Sequence, residues 1–186
     1  MEKIKIEKFV YEVAKSVILY RRSLKITANT YKYLIMISFL GDYEATLDAK
    51  GRFLFPAGFK KQLPGEELGR FVINRGFEKC LNIYPEINWD PLSAKINNLN
   101  EFNPRERKFK MLFLNGANNV DPDTSGRILL PPNLKSYAEL QKDIVLCASG
   151  DKIQIWDSIN YKQFFESISP EDLSDLADVV LGGKDS

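Results

Sequence analysis

Two stretches of this 186-residue chain repeat one pattern 75 positions apart. Asp48-Ala-Lys-Gly-Arg52-Phe-Leu-Phe-Pro56 returns as Asp123-Thr-Ser-Gly-Arg127-Ile-Leu-Leu-Pro131, and Lys60 returns as Lys135. Aspartate, glycine, arginine, a central leucine and proline all keep register. A duplicated unit of this size implies one fold assembled from two similar halves, so the repeat constrains architecture before any other feature is read.

Each half reads as strand, tight turn, strand, short helix, hairpin and helix. In the first, Tyr43–Leu47 alternates apolar and polar residues, Asp48–Gly51 is a turn signal, and Arg52–Phe55 is a strand that Pro56 ends. Short helices are expected over 57–63 and 133–140, because Pro56 and Pro131 suit a first turn. The closing strands 71–73 and 81–84 correspond to 144–146 and 153–156, the latter pair now 72 positions apart rather than 75. Helices follow at Glu86 and at Asp157, the latter a natural N-cap. Between the halves, 103–114 carries apolar residues at helical spacing. The tail from Pro170, rich in Asp and Ser, reads as solvated and frayed. The expected division is a first repeat over 41–88, a helical linker over 89–115, a second repeat over 116–159, and a helix with a frayed tail over 160–186. The fold class is α+β and β-rich.

Composition narrows the function classes. With 44% hydrophobic and 27% charged residues the chain is of ordinary globular type. Cys80 and Cys147 form no C-x-x-C pair and are expected to be plain apolar residues in a reducing compartment. The net charge of +1 conceals an asymmetry: residues 1–35 hold eight Lys/Arg against three Glu, so the remainder sums to −4. Any basic surface must therefore be local. The leader is too interrupted by Glu12 and Lys15 for a signal or membrane segment. It is expected to be an extension translated from a mis-assigned start, with Met36 opening the patterned sequence.

An Asp-x-x-Gly-Arg turn has a physical logic. The carboxylate accepts hydrogen bonds from turn amides, glycine takes the positive φ that a side chain opposes, and the arginine is presented at the start of the next strand. Two roles stay open for Arg52 and Arg127. Each either pairs with its own aspartate and staples the turn, or faces outward, where its planar fork meets phosphate or guanine edges. Lys50, Lys60 and Lys61 make the first repeat locally basic, whereas Thr124 and Ser125 replace Ala49 and Lys50 in the second.

These residues resemble a known family. Gly41-Asp-Tyr-Glu with Leu47-Asp-Ala-Lys-Gly-Arg52, the linker from Arg105 through Phe109 to Gly116-Ala117, Asp123 through Pro131, and Ile155-Trp156-Asp157 look like MraZ. The resemblance covers roughly 36–168. It implies tandem SpoVT-AbrB-like swapped-hairpin repeats forming an intramolecular pseudo-dimeric barrel with helices after each repeat. It also implies a bacterial regulator of the division and cell-wall gene cluster that binds short direct repeats in double-stranded DNA of its own promoter. A cytoplasmic, nucleoid-associated, ring-shaped homo-oligomer acting as a repressor is the further expectation. The long leader departs from the family pattern, as does Lys110-Met111 where a further arginine is usual.

On this reading Arg52, Lys50, Arg127, Lys60 and Lys61 meet DNA, while Asp48, Gly51, Asp123 and Gly126 order the loops. No membrane, small-molecule substrate, cofactor or metal is expected, and the chain is not expected to be an enzyme. It contains no histidine, which removes the usual nucleophile triads, and no Walker-type phosphate loop. Asp121-Pro-Asp123-Thr124 imitates the D-x-D-x-T signature of aspartyl-phosphate phosphatases, but Gly116–Asn119 is not the buried strand that chemistry needs. The rival of substance is an AbrB-like protein-interaction module without DNA binding, which would share the fold.

Overall fold

The computed structural model describes residues 36–65 and 69–182. The expectations for residues 1–35 lie outside the described residues. Among the described residues eight strands form in chain order: β1 (Asp42–Thr46), β2 (Arg52–Leu54), β3 (Phe71–Arg75), β4 (Cys80–Pro85), β5 (Asn118–Val120), β6 (Arg127–Leu129), β7 (Asp143–Ser149) and β8 (Lys152–Asp157). The helices among the described residues are α1 (Ala57–Lys60), α2 (Glu86–Asn97), α3 (Pro104–Leu114), α4 (Pro132–Tyr137), α5 (Ser158–Glu166) and α6 (Pro170–Gly182).

The strands assemble by exchange between the halves. One six-stranded sheet runs β1-β7-β8-β4-β3-β5, so the first strand of each half pairs with the hairpin of the other. The remaining two, β2 and β6, pair with each other as a separate antiparallel ribbon. The ladders are symmetric about two points. Phe53 faces Ile128 with Arg52 opposite Leu129 and Leu54 opposite Arg127, and Asn82 faces Gln154 with Leu81 opposite Ile155 and Ile83 opposite Ile153. All the pairings are antiparallel.

Alternation along these strands builds the core. Phe53 and Ile128 point inward from the ribbon at 1% and 0% exposure, and Leu81, Ile83, Ile153 and Ile155 meet them from the sheet. Phe59 of α1 and Leu134 of α4 close the same cluster from equivalent positions. Burial of side chains of this size contributes about 1.5–3 kcal/mol each, so the ribbon and the sheet are held together by this shared core. The outer sheet face is covered by helices: Val72 and Tyr84 pack on Trp89 of α2, whose ring stacks on Phe113 of α3 at 6.0 Å. Cys80, Cys147 and Trp156 pack near Tyr161 of α5. Both cysteines are free and buried, and burial pushes their thiols up to about 12 and about 11.

Asp157 caps α5, accepting from Ile159 N at 3.0 Å, while its second oxygen accepts from Gln141 N. Asn88 is fully buried and ties three backbone groups: it accepts from Ile37 N and donates to Ile37 O and Asp151 O.

Three expectations are corrected. The closed barrel is not formed by strand pairing, because β2 and β6 bond to each other and leave β1 and β5 as the edges of an open sheet. The tail is not frayed from Pro170; it is α6, begun by a reciprocal cap in which Ser169 N donates to Asp172 and Asp172 N donates to the Ser169 hydroxyl. The Asp- and Ser-rich composition masked a spacing of Leu173, Leu176 and Val180 that places three apolar residues on one helical face. Helix α1 is also shorter than expected, ending at Lys60 rather than at residue 63.

Candidate nucleic-acid interface

Both repeated turns have one geometry. In the first, Gly51 N donates to Asp48 O at 2.9 Å and Asp48 N donates to Arg52 O at 2.8 Å. The Asp48 carboxylate accepts from Lys50 N and Arg52 N, each at 2.9 Å. In the second, Asp123 accepts from Ser125 N and Arg127 N at the same distance. Gly51 and Gly126 stand at φ +79° and +75°, where a side chain is opposed. The hydrogen bonds set the protonation state. Backbone donation by Arg52, seconded by its side chain, holds the Asp48 carboxyl below its ordinary 3.8, and backbone donation by Arg127 does the same for Asp123.

The exchange of strands brings the two turns together. Phe55 N donates to Gly126 O and Leu130 N donates to Gly51 O, each at 3.0 Å, so each turn is anchored by the other half's strand. Antiparallel pairing then puts the start of α1 beside Gly126 and the start of α4 beside Gly51. Lys60 and Lys61, grouped by sequence with the first turn, therefore follow a helix that starts at the second. Both are exposed and make no ion pair among the described residues.

The two arginines divide the roles that sequence left open. Arg52 is the staple: its Nε donates to Asp48 Oδ2 at 2.8 Å, a second nitrogen lies 2.8 Å from the same oxygen, and a third lies 3.7 Å from Asp123 Oδ2. It links the two halves as well as its own turn, and 29% of its side chain stays exposed. Arg127 is exposed and its guanidinium makes no hydrogen bond or ion pair among the described residues. Lys50 is likewise exposed, and its ammonium makes no ion pair among the described residues.

Period-two alternation brings two more residues to this face. Leu54 and Leu129 are 60% and 53% exposed, and each sits directly across the ribbon from an arginine. Sequence reading passed over them as ordinary strand positions, although inward-pointing Phe53 and Ile128 required their neighbours to face solvent. The outer face of the ribbon is thus two arginines and two leucines, flanked by Lys50 on one turn and by Thr124 and Ser125 on the other. Among the described residues no helix is long and apolar enough to cross a membrane.

Comparison with known proteins places this arrangement in a family. The family described as "MraZ protein, putative antitoxin-like" matches twice, over residues 38–112 and 113–181, so that α2 and most of α3 lie in the first match and α5 and nearly all of α6 in the second. The chain is 40% identical over 151 residues to the "Transcriptional regulator MraZ" of Christiangramia forsetii, covering 81% of this chain and 97% of that one. It is 38% identical over 143 residues to the protein of that name from Cytophaga hutchinsonii, covering 77% and 94% of the two. The Leuconostoc citreum protein of the same name is 37% identical, with 77% and 96% covered. With both repeats matched and the similarity running through most of its length, the chain belongs to the MraZ family.

Proposed function

We propose that the chain is a sequence-specific DNA-binding transcriptional regulator that represses the division and cell-wall gene cluster through short direct repeats in its promoter. The observation that carries this reading is the shared face of the β2–β6 ribbon, where two turns 75 residues apart set Lys50, Arg52 and Arg127 side by side. Arg127 offers a bidentate fork to phosphate or guanine without breaking an internal pair. Arg52 holds the two turns together and, having five N–H donors, keeps others for the duplex. Leu54 and Leu129 are of a kind to meet thymine methyls. Lys60 and Lys61 extend the cationic set, and the carboxylates of Asp48 and Asp123 are consumed by turn amides.

The exchanged strands support reading the two repeats as an intramolecular pseudo-dimer of swapped hairpins. A body of net −4 with few loop cations holds one duplex site weakly, since affinity rises with each phosphate neutralised. A ring of identical subunits meeting successive direct repeats overcomes this by making later contacts intramolecular. The relatives' names as transcriptional regulators favour the same conclusion, which entails a cytoplasmic, nucleoid-associated protein.

The test is titration of DNA from upstream of the organism's own cell-wall cluster at several salt concentrations. Tight binding to the native fragment over a scrambled one, with affinity falling steeply as salt rises, is expected. Absence of binding, or affinity indifferent to salt, would leave the protein-interaction module as the function of this fold.

A further inference from the structure

Two cations meet at the Tyr137 ring, and they are answered differently. Lys79 Nζ lies 5.6 Å from the ring centre and pairs with Glu139 at 2.9 Å. The Arg75 guanidinium lies 4.9 Å over the same ring and makes no ion pair among the described residues. Its Nε is buried and has no hydrogen-bond partner among them, a costly state that an arriving acceptor relieves. The fold itself does not call for an arginine at this position. Asn74 faces Asn82 as Cys147 faces Gln154, so Arg75 corresponds to Ala148 in the second half, where a methyl group packs against the core.

Arg75 opens onto a groove. The β3–β4 hairpin, α3 and Tyr137 of α4 enclose about 270 Å³, lined by Arg75, Phe77, Phe109, Leu112, Phe113 and Tyr137. The walls are aromatic: the rings of Phe109 and Phe113 lie 5.7 Å apart, and Phe77 stands at the mouth, 81% exposed. None of the lining side chains is a carboxylate. The Tyr137 hydroxyl spends its hydrogen on Gly76 O at 2.9 Å. Arg105 and Lys108, both exposed and one turn before Phe109 and Leu112, add positive charge to α3. The groove therefore offers flat apolar walls and a cationic donor, and lacks an anionic acceptor.

We propose that this groove binds an aromatic carboxylate. The ring of the ligand packs among Phe77, Phe109 and Phe113, and its carboxylate accepts from the Arg75 guanidinium, Nε included. A volume of about 270 Å³ lies at the small end of ligand pockets, which suits one or two fused rings. The site shares no residue with the β2–β6 ribbon, so it goes beyond the proposed DNA contact and does not rest on it.

Titration of the full chain without DNA, using naphthoate and its uncharged isostere naphthamide and following naphthalene fluorescence, tests the site. Naphthoate should bind saturably, one per subunit, and tighter than naphthamide by about tenfold or more, the worth of a charge-assisted hydrogen bond. Arg75→Gln should erase that preference. Phe77→Ala, at an exposed position of the mouth, should weaken both probes alike by roughly 2- to 12-fold. In the wild-type chain, NMR of the arginine side chains should show one Nε–H resonance shifted by naphthoate and not by naphthamide, a readout that needs no variant to fold. Absence of saturable binding, equal affinity for the two probes, a preference that survives in Arg75→Gln, or binding untouched by Phe77→Ala would overturn the proposal.

Discussion

Substituting Arg127 by alanine separates contact from stapling. The guanidinium is exposed and makes no hydrogen bond or ion pair among the described residues, so removing it should leave stability within about 0.5 kcal/mol of wild type, as for a surface substitution. At about 2–4 °C per kcal/mol for a domain of this size, the melting temperature should move by no more than about 2 °C. A bidentate contact to a base or phosphate is worth about 1–3 kcal/mol, so operator affinity should fall roughly 5- to 150-fold for each subunit engaged. If the lost contact is to phosphate, the slope of log K against log salt should shrink by about 0.9 per contact. Arg52→Ala is the matched comparison. It removes the link between Asp48 and Asp123, so it should lower the melting temperature and weaken binding together. The assay is fluorescence anisotropy of an operator fragment at several salt concentrations, alongside thermal unfolding. An Arg127→Ala protein with wild-type affinity and salt slope would refute the assignment of the ribbon face as the DNA contact.

Gly51→Val should destabilise through the backbone alone, because a side chain there meets nothing within 4 Å. At φ +79° the cost is on the order of 1–3 kcal/mol, and an unchanged melting temperature would show that the turn does not hold this conformation. Asn88→Ala should cost about 1–3 kcal/mol, since buried backbone groups of Ile37 and Asp151 lose their partner; calorimetry showing less than half of the lower figure would contradict that role. The carboxyls of Asp48 and Asp123 are held below 3.8 in the fold, so their contribution is complete above the unfolded value and lost as pH falls through the folded ones. Stability measured from pH 6 downward should therefore stay flat in this respect until about pH 4 and then fall. Asp48→Asn with Asp123→Asn should flatten that acid limb; an unaltered limb would exclude the two turns as its source.

Local chemistry was legible in the amino-acid order. The Asp-x-x-Gly-Arg turns, the alternation that buries Phe53 and Ile128, and the Asp157 cap each depend on residues within a few positions of one another. The duplication itself announced two similar halves. Partnership across the chain was not legible, because β1 and β5, like β2 and β6, carry equivalent patterns, and nothing within either half says which strand it will bond. The tertiary structure decided that β2 pairs with β6, and this followed from the mutual burial of Phe53 and Ile128 over the sheet. That choice brought Asp123 within 3.7 Å of Arg52 and moved the start of α1 beside the opposite turn. It also separated two arginines with the same motif, leaving Arg52 tied and Arg127 open. The same limit applies to α6: its apolar spacing is written in the sequence, but what such a face meets depends on surfaces brought together only by folding.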